Sequence, residues 1–313
     1  MHPHPLTRSN DRVAMNLHVA EPRRPGLRVE VTAGRRLLLR QGDRVVLLGR
    51  QRAHHRGVHY CRTGRYESPL PPITARQARG RWQAGNESGW WAARWTYRYA
   101  AWLRTAFYGP LHAGSWTLAW GMPEWTVPGH WSRLHDVDPD QGHITWFGYG
   151  DPSEDARDIL PLRRLSAVDA DRVKAYRRQH REGILPPVLL WWVSGLATLL
   201  VVDGHDRLTA ALAEGAVPDV VVLAPTADPR WVSAVQRHPI REYEQRIAHL
   251  RNGPTDPFTG DGIAHAGHRL AANLSRIALT EGRTRAWPML GGRPTWDHLV
   301  AEFAPGSPLE QER

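Results

Sequence analysis

The chain has 313 residues, 41% of them hydrophobic and 23% charged, with a formal net charge of +10. That composition excludes a disordered or fibrous chain and predicts a folded protein with a substantial core, two domains by length. A single cysteine, Cys61, excludes an internal disulfide framework and a cysteine-cluster zinc site, and fits a reducing compartment. Met1–Ala20 lacks the continuous apolar core of a signal peptide. The longest apolar run, Val188–Val202, is broken at Ser194-Gly195 and is shorter than the ~20 residues of a membrane helix. A cytoplasmic protein with no membrane partner is expected.

The charge is uneven. Residues 1–80 hold 16 arginines against 5 acidic residues, whereas residues 151–225 hold 9 basic against 11 acidic residues. Contact with DNA or RNA, if made, is therefore expected through residues 1–80. Lys174 is the only lysine among 41 basic residues, a bias that a GC-rich genome explains as well as phosphate binding does.

Residues 1–26 contain four prolines and little periodicity, and predict a flexible arm. From Leu27 the residues alternate, and Arg36–Arg40 and Val45–Leu48 flank Gln41-Gly-Asp-Arg44, a hairpin signal. A small antiparallel sheet, barrel-like, is expected there. His54, His55, His59 and Cys61 match no standard metal spacing and are crowded by Arg52, Arg56 and Arg62, so a solvated strand end is the simpler expectation. Ten of the 15 tryptophans lie between residues 82 and 146. Trp91, Trp95 and Trp102 mark one face of a helix that starts at Asn86–Trp90 and ends near Phe107. Ser115–Trp120 and His143–Tyr149 read as strands. Tryptophans interleaved with Arg94, Arg98 and Arg104 suit base stacking, but core packing with cation–π support is favoured. Asp136–Asp140 lacks the glycine and closing Glu of a calcium loop and predicts a turn. Asp151–Arg157 is the expected domain boundary.

Beyond it, Leu160–Leu165 predicts a strand and residues 169–182 a helix with Asp169 as its N-cap and Val173 and Tyr176 buried. Arg177, Arg178, His180 and Arg181 crowd its C-terminal end, where they complement the helix dipole or lean toward a bound triphosphate. Val188–Val202 predicts two strands and a turn. Val201–Gly215 then runs from strand through a polar turn into a helix: Gly204 permits the bend, Leu208, Ala211 and Leu212 share a face, and Gly215 stops it. Such a helix start offers free N–H groups and the positive dipole end to an anion, which Arg207 would grip. Asp203 either caps the turn, holds a metal ion or takes a proton, and His205 shuttles a proton or donates to phosphate. Val217–Leu223 predicts a further strand. Helices follow at residues 228–235, 240–251 and 264–280, separated by Pro239 and by the loop Gly253–Gly262, which is too long for a helix-turn-helix. His265 and His268 have no neighbouring carboxylate and predict surface positions.

Asp203-Gly-His-Asp-Arg207 followed by Leu-x-Ala-Ala-x-x-x-Gly resembles the second signature box of the ParB/sulfiredoxin superfamily, most closely its Asp-Gly-His-His-Arg, free serine kinase-like version. The flanking elements agree in order over residues 158–225, about a quarter of the chain. The resemblance implies a nucleotide (ATP, ADP or CTP) with Mg2+ held by Asp203, and phosphates on Gly204, His205, Asp206 and Arg207. It makes Asp203 and His205 catalytic, with Asp169 and Asp171 as candidate acidic partners. Sulfiredoxin chemistry is not implied, because Gly204-His205 stands where that family has Gly-Cys. The expected protein is α+β: an arm (1–26), an Arg/Trp-rich β or α+β domain (27–150), a ParB/sulfiredoxin-like nucleotide-binding domain (151–226) and a helical C-terminal segment (227–313) packed on it. The expected function is nucleotide binding with phosphotransfer or hydrolysis. The alternative is a DNA-binding or adaptor protein that uses the module as a nucleotide switch. The oligomeric state is left open.

Overall fold

A computed structural model describes residues 13–20, 24–51, 57–83, 88–121, 131, 134, 140–145, 159–252, 259–280 and 282–310. His54, His55, most of Asp136–Asp140, the end of the expected 143–149 strand, the 151–157 boundary and the start of the 253–262 loop lie outside them. The described chain is a mixed α+β fold with two open six-stranded sheets.

The first sheet contains β2 (Leu27–Thr32), β3 (Arg36–Gln41), β4 (Arg44–Gln51), β5 (Gly57–Arg62), β7 (Gln141–Thr145) and β12 (Ala286–Pro288) in the order β12-β2-β3-β4-β5-β7. The expected hairpin is there: Gly42, at φ +58°, sits in the two-residue turn between β3 and β4, a conformation that costs glycine nothing. The sheet does not close, which corrects the barrel-like expectation. Its edge is extended by β12, parallel to β2, from the C-terminal end of the chain. Helix α7 (Gly292–Phe303) covers one face, with Trp296 and Val300 packed on Leu38, Val45, Leu48 and Cys61. The C-terminal segment is therefore not all helix and does not pack only on the 151–226 segment. Its last part returns to the first sheet, whose apolar face would otherwise be open to water.

The second sheet has the order β1-β6-β11-β9-β10-β8, from β1 (Ala14–Val19), β6 (Gly114–Trp120), β8 (Ile159–Pro161), β9 (Val188–Val193), β10 (Thr198–Asp203) and β11 (Val220–Pro225). The Val188–Val202 run is the expected pair of strands, and β9 is buried along its whole length. Such strands need cover on both faces and a partner on each edge. Leu200 and Val202 of β10 face a core shared with the first sheet, and Leu199 and Val201 face the opposite cluster with Leu208. The edge of β11 is satisfied by β6, and that of β6 by β1. Two expectations are corrected by this pairing. Residues 14–19 are a strand, not part of a flexible arm, and the strands of the expected 151–226 domain share their sheet with β1 and β6 from the preceding segments.

Between these strands run α1 (Ala75–Gln83) and α2 (Ser88–Thr105). Trp91, Trp95, Tyr99 and Leu103 recur every four residues along α2 and are buried in one continuous cluster with Leu39, Leu47, Leu200 and Leu223. Core packing is thus what these tryptophans do, and Arg98 lies over the partly buried Trp102 ring at 4.4 Å. On the opposite face α3 (Asp171–Arg181) packs on α4 (His205–Ala213) through Val173, Tyr176, Ala210 and Ala211. The N-cap of α3 is Ala170, without a side-chain cap, so Asp169 does not cap it. Pro239 does not end a helix either: α5 (Pro229–Asn252) runs through it. An interior proline costs a helix about 3 kcal/mol, which is offset here by packing along α6 (Thr259–Thr280). No helix among the described residues is long and apolar enough to cross a membrane.

Candidate functional site

Strand β10 ends at Asp203, and the chain turns into α4 at Gly204, whose φ is +95°. Glycine is required there for the dihedral and for space, because a Cβ would lie 2.7 Å from Nη2 of Arg207. No side chain caps this helix start. Gly204 and the first turn of α4, His205–Arg207, line a cleft of about 250 Å3. Its walls are Tyr66–Ser68, Pro72 and Ile73 on one side and Arg163, Arg172 and Tyr176 on the other.

Arg207 does not extend toward an anion. It is 2% exposed, donates from Nη1 to the Tyr99 hydroxyl at 3.0 Å, and pairs through Nη2 with Asp203. Tyr99 in turn donates to the carbonyl of Pro187 at 2.5 Å. Burial works against the Arg207 charge, but Tyr99 and Asp203 outweigh it and hold its pKa above the ordinary value. The other oxygen of Asp203 accepts from Ser68 Oγ at 2.6 Å. Asp203 is therefore a hub between a buried guanidinium and a surface hydroxyl.

Asp206 points the other way. It accepts from Arg163 Nη2 at 2.8 Å and Ser166 Oγ at 2.7 Å, and its second oxygen lies 3.4 Å from Arg172 Nε. His205 is buried against Tyr66, ring centroids 5.9 Å apart. Burial, then Arg163, Arg62 and Arg207, push its pKa well below the usual imidazole value, so it is neutral at pH 7. Its Nε2 has no hydrogen-bond partner among the described residues. The proton-shuttling role expected of His205 is therefore disfavoured near neutral pH.

Of the residues singled out from sequence, Asp203, Gly204, His205, Asp206 and Arg207 all line the cleft. Asp169 and Asp171 do not. Both are exposed, and Asp171 lies 3.9 Å from Lys174 on its own helix. Arg177 and Arg178 are also elsewhere, paired with Glu214 and Glu182. The arginine of α3 that reaches the cleft is Arg172, in its first turn. Sequence reasoning missed the whole Tyr66–Ile73 wall. Its anchors are Tyr66, which donates to the Val202 carbonyl at 2.6 Å, and buried Gln41, which exchanges hydrogen bonds with the Glu67 backbone. The Tyr-Glu-Ser-Pro-Leu-Pro-Pro run signals only an irregular segment, without a partner.

The donor set at Asp203 does not fit Mg2+. One oxygen takes the Ser68 hydroxyl and the other a guanidinium, and no group of three His, Cys, Asp or Glu side chains among the described residues is placed to hold a metal.

No family model, curated protein or solved structure matches this chain. The ParB/sulfiredoxin-like character assigned to residues 158–225 is corrected accordingly. The comparisons likewise give no support to nucleotide-binding, phosphotransferase or DNA-binding character.

Proposed function

We propose that the cleft above Gly204 binds a compact small molecule through one anionic group, a phosphate or a carboxylate. A charge imbalance supports this: Arg163 and Arg172 share the single buried carboxylate of Asp206, Arg207 is neutralised by Asp203, and the third carboxylate of the lining, Glu67, is paired at 2.7 Å with Arg44 outside the cleft. One net positive charge is left beside an uncapped helix start, where backbone N–H groups and the helix dipole also favour an anion. Ser68, whose hydroxyl donates to Asp203, adds a polar group to the same cleft. A volume of about 250 Å3 lies below the roughly 300–1,000 Å3 of sites for drug-sized ligands, which favours a compact occupant.

The test is a thermal-shift panel at low ionic strength with inorganic phosphate, pyrophosphate, small mono- and dicarboxylates and small phosphate esters, with ATP, ADP and CTP as bulky controls. A ligand at 100 times its Kd adds about 2.7 kcal/mol, or roughly 5 °C for a chain of this size. Arg172→Gln and Arg163→Gln, both on the rim, are expected to lose the shift; made together they strip the buried Asp206 of both cations, so the fold of the double variant is checked first by circular dichroism. No shift with any compact anion, or an undiminished shift in the double variant, refutes the proposal.

A further inference from the structure

Outside the cleft, at the β2–β3 side of the first sheet, three arginines converge on one carboxylate. Arg28 and Glu30 are two residues apart on β2 and so share a face, and Arg40 on β3 is directly opposite Arg28. Like charges across a strand pair repel. Glu30 bridges them: Oε1 accepts from Arg24 Nη2 and Arg28 Nε, each at 2.7 Å, and Oε2 from Arg40 Nε at 3.0 Å. We infer that this array is a second anion site, and that it takes a phosphate monoester dianion.

The charge argument is direct. Glu30 is 2% exposed and supplies one negative charge to three guanidinium groups, leaving a local charge of two. A phosphate monoester carries about −1.5 to −2 at pH 7. Arg28 and Arg40 are only 11% and 19% exposed, so their charge is less screened than that of a free surface arginine. Both contact Glu30 through Nε, which leaves the Nη edge of each fork for a ligand, apart from the bond that Arg40 Nη1 donates to the Asp43 carbonyl at 3.1 Å. Because the three groups meet at a point rather than along a line, they suit one compact tetrahedral group rather than an extended polyanion.

An aromatic pair packs at Gly26, in the segment that joins Arg24 to β2. Gly26, between Arg24 and Arg28, abuts the Phe107 and Tyr108 backbone so closely that a Cβ would fall 2.1 Å from the Phe107 carbonyl oxygen. Phe107 is 79% exposed and edge-on to Tyr108, with centroids 5.0 Å apart, and Arg44 lies over the Tyr108 ring. None of these residues lines the Gly204 cleft, so the two sites stand or fall separately.

The experiment is calorimetric titration of the full chain carrying Arg163→Gln and Arg172→Gln, which silences the cleft, at low ionic strength and without phosphate or sulfate in the buffer. The probes are inorganic phosphate and a short neutral peptide with one phosphoserine. Saturable binding of at least one probe is expected. Arg28→Gln or Arg40→Gln should weaken it at least about tenfold, as loss of a charge-assisted contact does. Arg24→Gln, half exposed and therefore tolerated by the fold, should weaken it about threefold. Tighter binding of the peptide assigns the site to a phosphorylated partner chain, and equal binding to a free phosphate-bearing molecule. No saturable binding of either probe, or full affinity in folded Arg24→Gln and Arg40→Gln proteins, overturns the inference and leaves the array as a fastening between β2 and β3.

Discussion

Arg207 is the residue whose removal most directly tests the arrangement at the cleft floor. Its guanidinium is buried between the Asp203 carboxylate and the Tyr99 hydroxyl. Arg207→Ala would leave Asp203, itself 13% exposed, without its cation and the Tyr99 oxygen without its donor. Breaking a buried ion pair by deleting one partner costs about 3–5 kcal/mol. For a chain of this size that is roughly 5–9 °C in melting temperature. Asp203→Asn should cost a similar amount, because it strands the buried guanidinium instead. Asp203→Asn combined with Arg207→Met removes both charges, and the double variant should be more stable than the two single costs added together imply, with a coupling of at least about 2 kcal/mol. The assay is equilibrium urea unfolding followed by tryptophan fluorescence and far-UV circular dichroism, with coincident transitions required. Arg207→Ala costing less than about 1 kcal/mol, or a coupling below about 0.5 kcal/mol, would show that the guanidinium is free to serve a ligand and that Asp203 is not a structural hub.

Gly204→Ala places a Cβ at φ +95° and 2.7 Å from Arg207 Nη2, and should destabilise by about 1–3 kcal/mol; an unchanged urea midpoint would contradict the turn geometry. His205 has a folded pKa well below its unfolded value near 6.5, so the unfolded chain binds the extra proton. Its contribution to stability is full above about pH 6.5 and is lost as pH falls from there toward the folded pKa, at up to about 1.4 kcal/mol per pH unit. His205→Gln should flatten that part of the stability profile, and an imidazole signal of His205 titrating at or above pH 6.5 by NMR would sink the claim. Cys61 is buried, and burial followed by Asp140 raises its thiol pKa; it should resist a thiol reagent at pH 7 until urea unfolds the chain, and rapid labelling of native protein would place it wrongly.

Features that depend on neighbours a few residues apart are legible in the residues themselves. The β3–β4 hairpin follows from Gln41-Gly-Asp-Arg44, the β9–β10 pair from the break at Ser194-Gly195, and the passage from β10 through Gly204 into α4 from apolar alternation followed by a helical face. Gly215, at φ +72°, follows the end of α4 as expected. Turn dihedrals and side-chain periodicity are local, so composition and spacing report them. The five residues Asp203–Arg207 were legible as cleft residues for the same reason.

Strand pairing and the contacts of each cleft residue, by contrast, follow from packing between distant parts of the chain. The edge of β11 offers the same N–H and C=O groups to any strand, and nothing in Val220–Pro225 specifies β6, more than a hundred positions earlier. The same holds for the Tyr66–Ile73 wall, brought to Asp203 by the packing of the two sheets on one core. Arg207 looked like a free anion ligand because the sequence places it in the first turn of α4. Tyr99, 108 residues away on α2, and the fold of the side chain back over Gly204 turn it into a buried ion-pair partner. The cationic role at the rim passes to Arg163 and Arg172, whose shared dependence on Asp206 is a matter of three-dimensional charge balance. His205 is neutral for the same kind of reason: burial and three surrounding arginines set its titration, and neither is written in the residues beside it.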